Sequence, residues 1–210
     1  MNDADHAAAR RDLVNALRDR LDASERTLSA IGAVPRHEFV PESVRGSAYA
    51  DRPLPIGHGQ TVSAPHMVAM MTDLLDVERG DRVFEVGTGC GYHAAVVAEV
   101  VGPGNVFSAE RVPELAAGAR DRLDRLGYEV TVSAGDGREA FADAAPFDAA
   151  YLTCAAPEAV PDAVVDRVRT DGRVVAPVSE RGRQRLVRLT PREDGIDRED
   201  HGGVRFVPMR

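Results

Sequence analysis

Residues 82–101 have the sequence RVFEVGTGCGYHAAVVAEVV, and this stretch decides the class of fold. Its first part, Arg82–Val86, has the short apolar pattern of a buried strand. The glycine-rich turn GTGCG follows at residues 87–91, and the alanine- and valine-rich run Tyr92–Val101 predicts a helix. A glycine-rich turn between a strand and a helix lets a ligand approach the backbone at the carboxyl edge of a sheet. Taken alone, such a turn is a weak signal.

Strand and helix patterns continue to alternate after this unit. The predicted elements are strand Asn105–Ala109, helix Pro113–Leu126, strand Val130–Ser133, strand Phe147–Thr153, helix Glu158–Val168 and strand Arg173–Val178. Two further β-like runs, Gln184–Thr190 and Val204–Met209, flank a polar turn, Pro191–Gly203, and predict an antiparallel pair at one edge. The alternation predicts an α/β fold with a doubly wound, mostly parallel sheet.

The N-terminal part is predicted to be helical and then irregular. Apolar spacing predicts helices over residues 10–21 and from Ser24 to about Ile31, and a third helix from Pro65 to Leu75. Between them, Val34–Pro65 is rich in proline and glycine and too long for a passive connector. Because it also carries apolar side chains, we interpret it as ordered and packed. We divide the chain into an N-terminal extension (1–78), a cofactor-binding core (79–180) and a C-terminal strand pair of the same domain (181–210).

The composition excludes several classes of protein. A chain of 210 residues and 22.5 kDa fits one domain with modest additions. Cys90 and Cys154 lie far apart, which excludes a disulfide-rich scaffold and argues against a metal site. No apolar stretch approaches the roughly 20 residues that a membrane helix needs, and Met1–Arg20 lacks the apolar core of a signal peptide. We therefore expect a cytoplasmic protein without a membrane partner.

The charge balance bears on partners and habitat. The chain has 34 acidic and 26 basic residues, for a net charge of −8. All 26 basic residues are arginine. Such a surface repels phosphate backbones, so we expect no nucleic-acid partner. A lysine-free acidic surface is typical of a halophilic protein, since screening at high salt removes its self-repulsion. The other interpretation is a GC-rich genome that encodes arginine in place of lysine.

Three acidic residues stand where parallel strands end. Glu85 precedes the glycine turn, Glu110 ends the next strand, and Asp136 follows the third strand. An acid at the end of the second strand can accept hydrogen bonds from both ribose hydroxyls, and an acid after the third can contact an adenine edge. Glu85 adds negative charge that suits a cationic ligand better than a pyrophosphate. S-adenosylmethionine is cationic at sulfur and carries no phosphate, so it is the predicted cofactor.

Each of these acids also has a structural interpretation. Glu110 could face solvent, Asp136 could cap a following helix, and Glu85 could pair with an arginine. All three being structural, at those strand ends, is the less favoured interpretation. The candidate cofactor-binding residues are Glu85, Gly87, Thr88, Gly89, Cys90, Gly91, Glu110, Arg111, Asp136, Gly137 and Arg138.

Several segments together resemble one enzyme family. These are VPRHEFVP at 34–41, YADRPLPIGHGQTVSAPHM at 49–67, the glycine turn, GDGR at 135–138, AAP at 155–157 and VRFVP at 204–208. On them, the chain resembles the protein-L-isoaspartate O-methyltransferase family over nearly everything except the first thirty residues. The glycine turn is shared by many methyltransferases, whereas residues 51–65 are specific to this family.

The resemblance implies a protein-repair reaction. The methyl group of S-adenosylmethionine would pass to the free α-carboxylate of an L-isoaspartyl residue, so isoaspartyl proteins and peptides are the expected partners of what we expect to be a monomer. An α-carboxyl with a pKa of about 3.5 is already ionised at neutral pH, and a general base would contribute little. The site should instead align the carboxylate and exclude water. Residues 51–65 are the candidate cover.

The resemblance makes Ser63 the active-site serine by its position. We interpret Ser63 as a hydroxyl that orients the substrate carboxylate; the alternative is an N-cap for the helix that Pro65 begins, and both roles can coexist. The candidate substrate-binding residues are Ile56, Gly59, Gln60, Thr61, Val62, Ser63 and His66. Core packing explains Ile56 equally well, and an ordinary helix position explains His66. Cys90 stands where the family commonly has serine, and its weaker donor bears on cofactor affinity rather than on activity.

Three other functions are compatible with part of the sequence pattern. A small-molecule methyltransferase on the same scaffold would have no reason to match the family over residues 51–65. The GxGxG spacing and Glu85 weigh against a nicotinamide-dependent oxidoreductase. A decayed cofactor-binding module is disfavoured because all the candidate site residues are present.

Overall fold

The computed structural model describes residues 2–209 of the chain. Its helices are α1 (Asp3–Arg20), α2 (Glu25–Ala33), α3 (Pro65–Leu74), α4 (Tyr92–Val101), α5 (Pro113–Leu126) and α6 (Asp162–Val165). Its strands are β1 (Leu54–Gly57), β2 (Gln60–Val62), β3 (Val83–Val86), β4 (Val106–Glu110), β5 (Val130–Ala134), β6 (Phe147–Leu152), β7 (Ala156–Pro157), β8 (Val168–Glu180), β9 (Arg183–Arg192) and β10 (Gly195–Val204). Within that part of the chain, no helix is both long and apolar enough to cross a membrane.

The central sheet has the order β10-β9-β8-β6-β3-β4-β5, with β7 paired to β8. Strands β3, β4, β5, β6 and β8 are parallel, and β9 and β10 are antiparallel. The chain runs from β3 outward to β5 and then returns with β6 to the other side of β3. This reversal places a topological switch point at the carboxyl ends of β3 and β6, where doubly wound folds bind ligands. The predicted fold class is confirmed.

The sheet is the middle of three layers. Along β3, Val83 packs into one core and Phe84 into another, as alternate residues of a strand must. Residues of α1 to α5 contribute to the first core, and α6 contributes to the second. All four residues of β3 are buried, which is expected for a central parallel strand covered on both faces.

The strongest sequence patterns are confirmed almost residue for residue. Helices α4 and α5 have their predicted bounds, and α5 ends at Gly127, whose φ of 80° lies in the left-handed region that favours glycine. The segment 34–65 is ordered as expected, with Phe39 and Leu54 fully buried. Its β1–β2 hairpin was not predicted, because the two strands are only four and three residues long.

Two helix predictions need correction. The first helix begins at Asp3 rather than at residue 10, because Asn2 and Asp5 form a capping box that starts it earlier. The predicted helix Glu158–Val168 is wrong. Glu158 has a φ of 62° and Pro161 caps the helix, so only the single turn of α6 forms. Strand β8 also continues through the turn predicted at 170–172, with Asp171 in the left-handed region.

The C-terminal antiparallel pair forms, but its second strand lies earlier than predicted. The polar segment Pro191–Gly203, expected to be a turn, instead supplies most of β10, and of the predicted strand Val204–Met209 only Val204 belongs to a strand. Strand β10 lacks the alternating apolar residues of an ordinary strand, and ion pairs join it to β9. The pairs are Arg185–Asp200 at 2.7 Å, Arg188–Glu199 at 2.8 Å and Arg192–Asp197 at 2.6 Å. Cross-strand pairs of opposite charge stabilise a sheet edge that apolar periodicity does not reveal.

Candidate active site

A cavity opens at the switch point, beyond the carboxyl ends of β3, β4 and β6. Its empty space, with the open mouth included, is about 920 Å³. Its wall is built from the glycine turn, the ends of β4 and β5, the β1–β2 hairpin and the C-terminal tail. The predicted residues that line it are Ile56, Gln60, Thr61, Val62, Ser63, Glu85, Gly87, Thr88, Gly89, Cys90, Glu110, Arg111, Asp136 and Gly137.

The glycine turn leaves no space for side chains at its first position. Gly87 has a φ of 102°, and a Cβ built there would collide with Oγ1 of Thr153. The Gly87 N–H donates to the carbonyl of Ala109 at 2.8 Å, which fixes the turn between β3 and β4. The backbone is therefore bare and fixed where a ligand would approach it.

Glu110 organises the floor of the cavity. Its side chain is buried, and it accepts hydrogen bonds from the backbone N–H groups of Gly89 at 2.8 Å and Val112 at 2.9 Å. The solvent-facing interpretation of Glu110 is therefore wrong. Each carboxylate oxygen can still accept from a further donor, such as a hydroxyl. Glu110 thus connects the glycine turn to the start of α5 by hydrogen bonds. It also lines the cavity.

Glu85 is a fully buried carboxyl at the cavity wall. One oxygen accepts a hydrogen bond from the Ser108 hydroxyl, and the other has no partner among residues 2–209. No arginine of that part of the chain pairs with it, so the ion-pair interpretation is wrong. Burial raises the pKa of Glu85 to about 7. The Tyr151 hydroxyl lies beside this carboxyl and, with Ser108, offsets part of the effect of burial on its pKa.

Asp136 closes its own turn after β5. It accepts from the backbone N–H of Arg138 at 2.9 Å and from its guanidinium, and these bonds lower the pKa of Asp136 to about 2. A turn follows rather than a helix, so Asp136 caps none. Arg167 fixes this turn by donating to the carbonyls of Gly137 at 3.0 Å and Arg138 at 2.7 Å. The acid is thus presented on a rigid loop.

A groove adjoins the cavity, and Ser63 lies where the two meet. Thr61, Ser63, Thr153 and Val207 line both depressions. Ser63 follows β2 and is half-buried, whereas the N-cap of α3 is Ala64, with no capping hydrogen bond from a side chain. The N-cap interpretation of Ser63 is therefore wrong. Its hydroxyl stands at a junction between two ligand-sized spaces.

Segment 51–65 is tied to α3 at its first residue. Asp51 accepts from the backbone N–H of His66 at 2.9 Å and from its Nδ1 at 2.8 Å. Burial opposes ionisation, but these hydrogen bonds hold the pKa of Asp51 below its usual range. This contact anchors the start of segment 51–65 beside the groove.

Four predicted site residues lie outside the cavity wall. Gly59 is in the hairpin turn, and His66 lines the groove. Gly91 is the N-cap of α4, and the guanidinium of Arg138 folds back onto Asp136.

Other residues of the wall were not predicted. Thr153 and Cys154 follow β6, and the Thr153 hydroxyl donates to the carbonyl of Gly87. Thr153 ends the predicted strand and Cys154 follows it, so their position at the carboxyl edge was a usable signal. The tail residues Val207–Met209 also line the cavity, and they are held by two hydrogen bonds of 2.8 Å to Ala155. No periodicity in the sequence marks that contact.

The doubly wound sheet, the bare glycine turn and the acids after β4 and β5 define a class I methyltransferase domain. The family model for protein-L-isoaspartate(D-aspartate) O-methyltransferase matches residues 8–210. The chain belongs to this family.

Relatives and solved structures agree with that assignment. Protein-L-isoaspartate O-methyltransferase 1 of Archaeoglobus fulgidus is 50% identical over 202 residues, which cover 95% of this chain and 92% of the relative. A solved protein-L-isoaspartate O-methyltransferase superposes with a TM-score of 0.89 at 26% identity, covering 96% of this chain and 66% of that one. A Plasmodium falciparum structure of the same description, in complex with S-adenosyl-L-homocysteine, gives 0.82 at 25% identity, covering 96% and 98%.

Proposed function

We propose that this protein transfers the methyl group of S-adenosylmethionine to the free α-carboxylate of L-isoaspartyl residues in damaged proteins. The observation that carries the proposal is the place of Ser63. It stands where a small-molecule cavity opens into a groove, on the segment that most specifically resembles the family. A methyl donor in the cavity and a peptide carboxylate in the groove would meet at this residue.

The cavity fits S-adenosylmethionine, which supplies the methyl group when bound. Glu110 has open acceptor positions for ribose hydroxyls, and Asp136 with Gly137 presents an acid and a backbone to an adenine edge. Glu85 lines the same wall, where its charge when ionised would favour the cationic part of the molecule. Cys90 is buried in the same wall, where a small side chain suffices.

The groups of this chain orient the substrate rather than activate it. The α-carboxylate is ionised at neutral pH and needs no base. Ser63 would donate a hydrogen bond to it and fix its direction of approach. Ile56 and Val62, apolar residues of the hairpin, line the same wall and exclude water from it. Alignment and desolvation are then the sources of rate enhancement.

Replacing Ser63 with alanine is expected to lower kcat/KM for an isoaspartyl peptide by about tenfold, since one hydrogen bond to a charged group is lost. Affinity for S-adenosylmethionine and thermal stability should stay nearly unchanged, because Ser63 does not cap α3. Kinetics, a cofactor titration and a melting curve measure the three quantities. Ser43→Ala, an exposed serine outside both depressions, is the matched control. Full activity in the Ser63 variant would remove this residue from the reaction.

The chemical step should be independent of histidine titration. With cofactor saturating, the single-turnover rate is expected to stay flat from about pH 5.5 to 8.5. Burial lowers the pKa of His93 to about 3, so His93 gains no proton in that range. Burial and nearby positive charge also lower the pKa of His37. His58→Gln and His66→Gln test the exposed His58 and the half-buried His66. A sigmoid profile near pH 6.5 that one of these variants abolishes would establish a catalytic histidine.

The proposal is tested by locating the transferred group. An isoaspartyl peptide that also contains ordinary aspartate and glutamate is incubated with the protein and labelled S-adenosylmethionine, then fragmented in a mass spectrometer. We expect the label on the isoaspartyl residue alone, as a base-labile ester. A label on a nitrogen atom or on another carboxylate would contradict the proposal.

We also propose that the protein is a monomer of the cytoplasm, adapted to high salt and without a nucleic-acid or membrane partner. Its net charge of −8 and its lysine-free composition support the adaptation to high salt and the absence of a nucleic-acid partner. At the edge of the sheet, arginine–carboxylate pairs between β9 and β10 use these surface charges to hold the two strands together.

A further inference from the structure

We propose that Arg183 and Arg205 make this enzyme prefer isoaspartyl sites flanked by acidic residues. The inference rests on the proposed function, since it concerns the peptide that would occupy the groove. Both arginines line the groove that meets the cofactor cavity at Ser63.

The wall of the groove has an unusual charge for this chain. Acids outnumber bases 34 to 26 overall, yet among residues 2–209 the groove is lined by three arginines and by no carboxylate. Arg185 is neutralised by Asp200, which it contacts at 2.7 Å. Arg183 and Arg205 are exposed, and neither forms an ion pair with any residue of the described part of the chain. Two cationic groups therefore remain available to a ligand.

Neighbouring arginines of the same hairpin behave differently. Arg188 pairs with Glu199 at 2.8 Å, and Arg198 pairs with Glu180. Arg185, Arg188 and Arg198 of the hairpin thus have carboxylate partners, whereas Arg183 and Arg205 form no ion pair among residues 2–209. A local cationic patch on an acidic protein attracts anionic ligands to that place while the rest of the surface repels them.

Two hydrogen bonds from one side chain fix the backbone beside both arginines. Gln184 accepts from the Phe206 N–H at 2.6 Å and donates to its carbonyl at 3.1 Å. Arg183 precedes Gln184 and Arg205 precedes Phe206, so each arginine is next to a residue of this hydrogen-bonded pair. Arg183 also borders a second depression that contains Glu158 and Glu180, which offset part of its charge. We therefore assign the larger effect to Arg205.

A peptide whose isoaspartyl carboxylate reaches Ser63 must extend its flanking residues along this wall. Exposed charge pairs are modest, so we expect a three- to tenfold preference in KM, about the effect of two such pairs. Screening should reduce it, because the Debye length falls from about 8 Å at physiological salt to about 3 Å at 1 M. The chemical step should be unaffected, since neither guanidinium lies at the junction.

The test uses the full-length protein and a set of isoaspartyl peptides that differ only in carrying Glu, Gln or Lys beside the isoaspartyl residue, on either side. We expect KM to rise in the order Glu, Gln, Lys, with kcat nearly constant. In Arg205→Glu the order should invert, and in Arg183→Gln the preference should shrink. Ratios of KM between peptides do not depend on the fraction of folded enzyme, so a partly unfolded variant still reports on the preference. Arg11→Gln, an exposed arginine of α1 outside both depressions, is the matched control and should keep the order.

The outcomes separate this inference from the function beneath it. Methylation of every isoaspartyl peptide with equal KM, or a preference for Lys, would overturn the role of the two arginines and leave the proposed function standing. An acidic preference that Arg205→Glu does not change would do the same. Transfer to none of the isoaspartyl peptides would defeat the proposed function and this inference with it.

Discussion

Glu110→Ala is expected to weaken binding of S-adenosylmethionine by about 10- to 150-fold. Loss of hydrogen bonds to a charged group costs about 1.5–3 kcal/mol, which converts to that range. The structure adds a second reason. Glu110 also accepts from the N–H groups of Gly89 and Val112, so the variant loosens the glycine turn that the cofactor must contact. A calorimetric titration measures the effect.

Glu114→Ala is the control for this experiment. Glu114 is an exposed carboxylate in the first turn of α5, four residues further along the chain and outside the cavity. It should bind the cofactor as the parent does. If Glu110→Ala also binds S-adenosylmethionine with the parental affinity, Glu110 does not hold the ribose.

Glu85→Gln is expected to stabilise the cofactor-free protein at pH 8 and to lose that advantage in acid. Burial raises the pKa of Glu85 from 4.5 to about 7, so the folded state binds more protons than the unfolded state between those values. Stability therefore falls as pH rises through this window. The cost at pH 8 is ~3 kcal/mol. Glutamine resembles the protonated carboxyl and avoids this ionisation cost. The Tm of the variant at pH 8 is therefore expected to exceed that of the parent by roughly 6–12 °C.

The same variant should bind S-adenosylmethionine more weakly, because it lacks the negative charge that the cationic ligand favours. Melting curves at pH 5 and pH 8 and a cofactor titration at pH 8 give both readings. Glu99→Gln, an exposed carboxylate on α4, should change neither. An unchanged Tm at pH 8 would show that Glu85 carries no burial cost, and an unchanged affinity would remove it from the cofactor site.

Local signals determined what could be predicted from the sequence. Helix α5 carries proline at its start, a stripe of leucine and alanine, and Gly127 at its end, and all three agree on its bounds. The carboxyl ends of parallel strands lie at one edge of the sheet, so the sequence alone places the acids Glu85, Glu110 and Asp136 together. The order of strands and helices along the chain is enough to predict this acidic part of the site.

What the sequence did not reveal depends on contacts between distant segments. Strand β10 is polar on both faces and is recognised only through its ion pairs with β9. The tail reaches the cavity through hydrogen bonds to Ala155, 52 positions before Val207. The second role of Glu110, as acceptor for two backbone amides, likewise follows from the folded turn and not from the identity of the residue.

The central claim is that this protein methylates the α-carboxylate of isoaspartyl residues. It is tested most directly by the rate of methyl transfer to a synthetic isoaspartyl peptide beside its aspartyl twin, which has the same composition and charge. The account predicts transfer to the isoaspartyl peptide and none above background to the twin, because only the isoaspartyl linkage presents a free α-carboxylate within the chain. Equal transfer to both peptides, or transfer to neither, would contradict it.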